Sequence, residues 1–384
     1  MNFDVIVIGL GAMGSATLYQ LARRGARVLG IDRFHPPHAF GSSHGATRIT
    51  RLSVGEGPEY VPLVRRSHRI WREIESTLGE ELMLTTGGLV MGPTKGGGEL
   101  HGERDFVNRT IELAQAFGIE HEVLEADVIG RRFPQFLLRG DERGYFEPEA
   151  GVLRPERCVA AQIELARRAG VQVLTGQQVS ALAATGDAVT VRAGSDSHQA
   201  GRAVVTAGAW IPALVKGRYA RSLRVQRQTL HWFRPDQPAL YAPGLCPVFI
   251  WSHGATPSEA FYGVPMVDGV AGVKVGTQQH DVDSAPDTLD RTVSRAESEA
   301  MHARHVRGRL RSVSALPVQA AACLYTTAPE ARFIVDQHPE VERAIVVSAC
   351  SGHGFKHSAA LGEAVAETLL EGHPSIDLAP FALR

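Results

Sequence analysis

The sequence predicts an α/β protein of two domains, one of them built on a parallel sheet fed by both ends of the chain. Three observations carry this expectation. Residues 3–9 form a β-branched run that enters a glycine-rich turn and then a helical pattern. Residues 332–336 and 344–349 are short apolar runs that lead into a second glycine-rich turn and another helical pattern. The chain has 384 residues, and at roughly 150 residues per domain it suits two to three units.

The elements follow in order. Residues 3–9, Phe-Asp-Val-Ile-Val-Ile-Gly, have the continuous apolar character of a central parallel strand. Gly9-Leu10-Gly11-Ala12-Met13-Gly14 then makes a GxGxxG. Residues 15–24 place Ala, Leu and Tyr at helical spacing until Gly25 supplies a stop. A second strand, 27–31, ends at Asp32. In such a unit Gly9 permits a tight turn, and Gly11 lets backbone N–H groups approach a pyrophosphate. Gly14 lets helix and strand pack closely. Asp32, 18 residues beyond Gly14, is placed to accept hydrogen bonds from an adenosine ribose. Together these features predict a bound dinucleotide, NAD or FAD, rather than a plain turn.

Residues 40–51 are rich in Gly and Ser and carry Ser43 and His44. Arg48 and Arg51 stand three apart, so both are expected on one face of a helical turn. That pair is either an anion site or a solvated basic helix end. Residues 229–233 and 273–276 read as strands of the second domain. Residues 92–102, with three consecutive glycines at 96–98, read as a surface loop. Residues 316–327 are strand-like and contain Cys323. Finally Cys350-Ser-Gly-His-Gly-Phe-Lys356 leads into an amphipathic helix at 358–370. A helix entered through Gly352 and Gly354 offers free N–H groups, suited to the anionic edge of a reduced flavin.

Composition narrows the function classes. Lys+Arg number 40 against 41 Asp+Glu, a net charge of −1, which argues against a nucleic-acid partner held by a bulk positive field. Cys158, Cys246, Cys323 and Cys350 form no CxxC, so neither a zinc site nor a disulfide framework is expected. No run reaches the ~20 apolar residues of a membrane helix. The opening Met1-Asn2-Phe3-Asp4 lacks a basic signal region, so a cytoplasmic location is expected.

Several of these segments match one known family. GLGAMG (9–14), GSSHGATRITR (41–51), GEGPEYVPL (55–63), FEPEAGVLRPE (146–156), AACLYTTAPEARFIVD (321–336) and SGHGFK (351–356) make the chain resemble the monomeric sarcosine oxidase and N-methyltryptophan oxidase family. These are covalent-flavin amine oxidases of the D-amino-acid oxidase fold group. The likeness runs over most of the chain and is densest at its ends.

The resemblance implies an FAD-binding Rossmann-like domain from 1–80, 146–215 and 317–384. A mixed-sheet substrate domain would come from 81–145 and 216–316. It implies FAD attached through its 8α carbon to Cys323. Cofactor contacts would come from Gly9, Gly11, Ala12, Met13, Gly14, Asp32, Arg33, Ser43 and Val179 on one side. Gly352, His353, Gly354 and Lys356 would supply the other. Arg48 and His44 would lie beside the flavin ring, where positive charge favours the anionic reduced form. Arg51 with Lys356 would clamp a substrate carboxylate, and Tyr262 would line the substrate pocket. Lys274, between Val273 and Val275, points away from their face of a strand. By composition it is an outward, solvated lysine; by resemblance it activates O₂, since a cation stabilises superoxide as it forms.

The chain also departs from the family. Gln278 stands where the family carries an active-site histidine, with His280 nearby. Val54 replaces an aromatic residue, and Ser43 replaces the first of a His-His pair. The flavin machinery is therefore retained while the substrate walls differ. The implied reaction is oxidation of the secondary amine of an N-alkyl amino acid by O₂. Sarcosine, giving glycine, formaldehyde and H₂O₂, is the leading substrate. Alternatives are an oxidase of pipecolate or N-methyltryptophan, a dehydrogenase that passes electrons to a partner protein, and a non-catalytic FAD subunit. A monomer without nucleic-acid, membrane or metal partners is expected.

Overall fold

A computed structural model describes residues 3–96 and 98–383; Gly97, inside the glycine run noted above, lies outside them. Strand Phe3–Ile8 is hydrogen-bonded on both sides, to Val28–Ile31 and to Asp196–Val205, both parallel. Val5 to Ile8 are almost fully buried, as continuous apolar runs in a parallel sheet should be. Ala344–Ser348 adds to the other side of Asp196–Val205, again parallel, pairing Ile345 with Val204. Both chain ends thus meet through one strand. Gln172–Leu174 extends the sheet at one edge, while Val179–Thr185 and Ala188–Ala193 form an antiparallel flap.

Helix Ala12–Arg23 covers this sheet together with Pro155–Arg168 and Ser358–Leu370. Gly362 lets two of them touch: a Cβ there would lie 2.6 Å from the Ala16 carbonyl carbon. Ser358–Leu370 is a helix as expected, but it is buried nearly all round rather than amphipathic. Eleven of its 13 residues are buried, because it is wedged between Ala12–Arg23 and Tyr60–Leu78. Glu363 reaches out of this packing to a two-pronged pairing with Arg66, at 2.6 and 2.8 Å.

The second large sheet runs Val313–Thr327, Arg224–Pro235, Val273–Gly276, Ala260–Val264, Val248–Ser252, Gly88–Pro93, Glu142–Glu147, Glu122–Glu125. It is antiparallel except where Val248–Ser252 meets Gly88–Pro93. Residues 317–327, grouped above with the nucleotide-binding part, therefore run in this second sheet, where Cys323 pairs with Gln228. The same holds for 146–147. A small sheet, Arg48–Thr50 with Gly151–Leu153 and Met83–Thr85, links the two halves.

Two local expectations fail. Residues 48–50 are a strand, not a helical turn. Gly45 and Ala46 take positive φ of 97° and 65°, and pairing of Arg48 with Leu153 holds the extended form. Residues 99–104 are a short hairpin, Glu99–Leu100 against Glu103–Arg104. Leu100 and His101 of that hairpin are buried, so this part of the chain is not a solvated loop.

Candidate active site

A single continuous cleft opens at the carboxyl ends of the parallel strands, where ligands of open α/β sheets bind. Its walls are the segments just beyond those strands: Gly9 to Met13, Asp32 to Phe34, Thr206 to Trp210 and Ala349 to Lys356. The second sheet closes the far side with Leu230, Ile250, Tyr262, Lys274 and Cys323. The cleft is long, running from the glycine turn at 9–14 to the Arg51, Glu56 and Lys356 side chains.

At the glycine turn, Gly9 has φ of 89°, and a Cβ on Gly14 would lie 1.7 Å from the Gly9 carbonyl oxygen. Any larger residue at position 14 would push the helix off the strand. Gly11 stands at the helix start with no capping side chain of its own. Ser43 Oγ accepts from Ala12 N at 3.1 Å, tying the 41–47 segment to the helix start. Asp32 accepts from Leu10 N at 2.6 Å and Phe34 N at 2.7 Å, which still leaves lone pairs on both carboxylate oxygens. Arg33, paired with Asp287 at 2.6 Å, and Val179 line the mouth.

Deeper in, Arg48 donates to the Ser42 carbonyl at 2.6 Å and sits 3.9 Å from Cys323 Sγ. Burial raises the Cys323 thiol pKa, while Arg48 pulls it back toward thiolate. Lys274 is fully buried, so the solvated reading fails; the loop 45–47 covers it. Its Nζ donates to the carbonyls of Gly45 and Thr47 and to Thr47 Oγ1, at 2.8, 2.9 and 3.0 Å. Burial and the neighbouring Arg48 pull its pKa well below the usual lysine range. His44 is buried next to the 42–43 and 47–48 residues that line the cleft, with Nε2 unpartnered. Burial, with Arg48 and Lys274 nearby, takes its pKa to about 3, so Arg48 and not His44 carries the positive charge here.

Arg51 does not share a face with Arg48. It turns the other way, toward Lys356, and both are almost fully buried. Between them lies a carboxylate that sequence reading missed. Arg51 grips Glu56 at 2.8 and 3.0 Å, and Lys356 Nζ lies 3.4 Å from Glu56 Oε1. Burial would raise the Glu56 pKa, but Arg51 and Lys356 hold it well below the carboxylate range. Burial brings Lys356 down to about 8, against the opposing pull of Glu56.

Two histidines border this group. His353 donates from Nε2 to the Ala331 carbonyl at 2.9 Å, and its Nδ1 lies 3.9 Å from Glu56. His101 approaches Glu56 to 3.7 Å and Gln278 Nε2 to 2.8 Å. Gln278 and Tyr262 line the cleft, as do Gly352 and Gly354. His280 instead faces Gln226 at 3.2 Å, and Val54 is buried in the core, so neither forms a substrate wall.

Other residues went unread for identifiable reasons. Tyr325 lines the cleft two positions from Cys323, on the same face of one strand, a signal the alternation did offer. Glu56, an acid between Gly55 and Gly57 just before an apolar helix, also had a local signature. His101 had none beyond its place beside Leu100 in a glycine-rich stretch.

These residues fit FAD. Gly9, Gly11, Gly352 and Gly354 border the cleft, a helix starts at its glycine turn, and the Arg48 guanidinium stands beside the Cys323 thiol that lines it. Such a plan, a dinucleotide groove ending in a polar chamber, is that of a flavoprotein oxidoreductase. Comparison with known proteins agrees: the chain belongs to the FAD dependent oxidoreductase family, whose pattern it matches over residues 4–368. It is 37% identical to a monomeric sarcosine oxidase of Streptomyces avermitilis, covering 97% of this chain and 96% of that protein. It is 32% identical to an N-methyl-L-tryptophan oxidase of Salmonella agona, covering 100% and 99%. Among solved structures it resembles NikD, an amino acid oxidase of nikkomycin biosynthesis, with a TM-score of 0.85. That match has 24% identity and covers 100% of this chain and 97% of NikD. Among the described residues, no helix is long and apolar enough to cross a membrane.

Proposed function

We propose that the protein oxidises the secondary amine of an N-alkyl α-amino acid, with sarcosine the first candidate and O₂ the final electron acceptor. The observation that carries this reading is the pair of buried cations, Arg51 and Lys356, at the closed end of an FAD cleft. Glu56 offsets one of these two buried charges, and a substrate carboxylate would offset the other. Full-length relatives named for sarcosine and N-methyl-L-tryptophan support the same class.

Bound FAD supplies the two-electron acceptor. Arg51 and Lys356 hold the carboxylate, and Tyr262 and Gln278 border the rest of the substrate. The carbon beside nitrogen gives up a hydride equivalent and the amine becomes an imine. Water then adds and splits it; for sarcosine the products are glycine and formaldehyde. Two electrons and two protons reduce O₂ to H₂O₂. Lys274 would supply a cation where negative charge develops on oxygen, the three acceptors of Gly45 and Thr47 favouring its charged form against the downward pull of burial and Arg48. Cys323 is the residue that would hold FAD covalently, and the chain would act as a monomer in the cytoplasm.

The test is anaerobic addition of sarcosine, pipecolate and N-methyltryptophan to the purified flavoprotein. Bleaching of the flavin by at least one supports the reading and ranks the substrates. Bleaching by none, with flavin bound, refutes it.

A further inference from the structure

The hairpin at 99–104 is small, with two residue pairs, yet it puts a histidine into the wall of the cleft. His101 has φ of 53° and Gly102 φ of 80°, so a β-carbon residue occupies the left-handed region at the turn. Its side chain is only 4% exposed. The ring reaches Gln278 Nε2 at 2.8 Å and packs edge-on against His353, with ring centres 4.8 Å apart. His353 is itself stacked on Phe333 at 4.6 Å, which makes a firm backing. A Cβ on Gly352 would meet three atoms at once: Tyr325 Cε2 at 3.0 Å, Gln278 Nε2 at 3.1 Å and His101 Cε1 at 3.3 Å. These three side chains converge over the glycine turn.

His101 stays there under two unfavourable conditions. Its backbone is strained, and its Nδ1 is buried without a partner. With Gln278 donating to Nε2, the neutral ring carries its proton on Nδ1, and that N–H finds no acceptor; with the amide turned over, Nδ1 is an unpaired acceptor instead. Packing alone is better served by an apolar residue at an ordinary φ. Strain and an unmet polar atom at a cleft wall mark a position fixed by what the cleft must accept.

We propose that His101 is the specificity-determining residue of this site. With Gln278 and Tyr325 it ends the pocket beside the Arg51–Lys356 pair and restricts the enzyme to carboxylates with short substituents. The inference rests on the amine-oxidase reading and deepens it. It favours sarcosine-sized substrates over those the size of N-methyltryptophan.

The test uses the flavin-loaded protein and two substitutions that tolerate positive φ, His101→Gly and His101→Asn. Flavin content and melting temperature verify that both variants are folded. Binding is read with two unreactive acids, acetate and indole-3-acetate, from the change in flavin absorption and the rise in melting temperature. Selectivity is read from anaerobic reduction by sarcosine and N-methyltryptophan. Wild type should bind acetate and exclude indole-3-acetate. His101→Gly should move the binding ratio and the kcat/KM ratio toward the bulky ligand by about tenfold or more. His101→Asn, which can still bond Gln278, should restore much of the preference for the small one. Ratios unchanged in a folded His101→Gly, or a wild type that takes both acids equally, would overturn the proposal. If no secondary amine reduces wild type, the amine-oxidase reading falls, and the acid-binding ratios still decide the role of His101.

Discussion

Replacing Glu56 with Gln keeps the shape of the side chain and deletes the charge between Arg51 and Lys356. All three side chains are at most 6% exposed, so solvent screens little of the loss. Removing one partner of a buried ion pair costs about 3–5 kcal/mol. Lys356, already depressed to about 8, can shed its proton once the carboxylate is gone, so the lower end, about 3 kcal/mol, applies. An unfolding entropy of about 2.1 cal/mol/K per residue gives a chain of 384 residues about 0.8 kcal/mol/K, so the melting temperature should fall by about 4 °C. The same substitution frees Arg51, and Lys356 once it takes its proton back, for an outside carboxylate. Sparing the ligand one charge-assisted hydrogen bond's worth of competition should tighten acetate binding by about tenfold. Acetate at about 100 times its Kd then returns about 2.7 kcal/mol, nearly the whole loss. Thermal melts of both proteins with and without acetate read all of this. A melting temperature within 1 °C of wild type (about a quarter of the expected shift), or equal acetate shifts in both, would refute the argument that Glu56 neutralises a carboxylate site.

Three further outcomes follow from the same geometry. Cys323→Ser, nearly isosteric at a fully buried position, should leave the fold intact but release yellow colour to the supernatant on acid precipitation; colour kept in the pellet would place the attachment elsewhere. Lys274→Met should slow flavin reoxidation by O₂ by about 10²–10³-fold while slowing anaerobic reduction far less, and equal slowing of both half-reactions would remove its assignment to O₂. Because a carboxylate binds the charged form of Lys356, acid affinity should be highest below pH about 8 and fall as pH rises through that value. In Lys356→Met the affinity should be lower at neutral pH and flat across that range; a decline that persists in the variant would assign it to another group.

The parts legible in the sequence are those whose physics is local. Strand, glycine turn and helix at 3–23 are contiguous, and each of Gly9 and Gly14 answers to a contact within a few residues or to one neighbouring strand. Alternation correctly set Lys274 opposite Val273 and Val275, yet it could not say that a loop 45–47, more than 200 positions away, buries that second face. The helical spacing of Arg48 and Arg51 misled because positive φ at Gly45 and Ala46 and pairing with Gly151–Leu153 override local propensity. The Arg51, Glu56 and Lys356 group draws on segments 300 residues apart, so only its two cations were readable, through resemblance. His101 lay in a glycine-rich stretch that reads as solvent-exposed; the glycines instead allow the reversal that turns its ring inward.

The most direct measurement is anaerobic reduction of the flavoprotein by sarcosine and by sarcosine amide, which differ only in the carboxylate, with formaldehyde counted against flavin reduced. The account predicts bleaching by sarcosine with one formaldehyde released for each flavin reduced (the stoichiometry of a two-electron oxidation), and at least about a hundredfold slower reduction by the amide. Equal rates for the two compounds would contradict a carboxylate site at Arg51 and Lys356, and bleaching without formaldehyde would contradict oxidation at the N-methyl carbon.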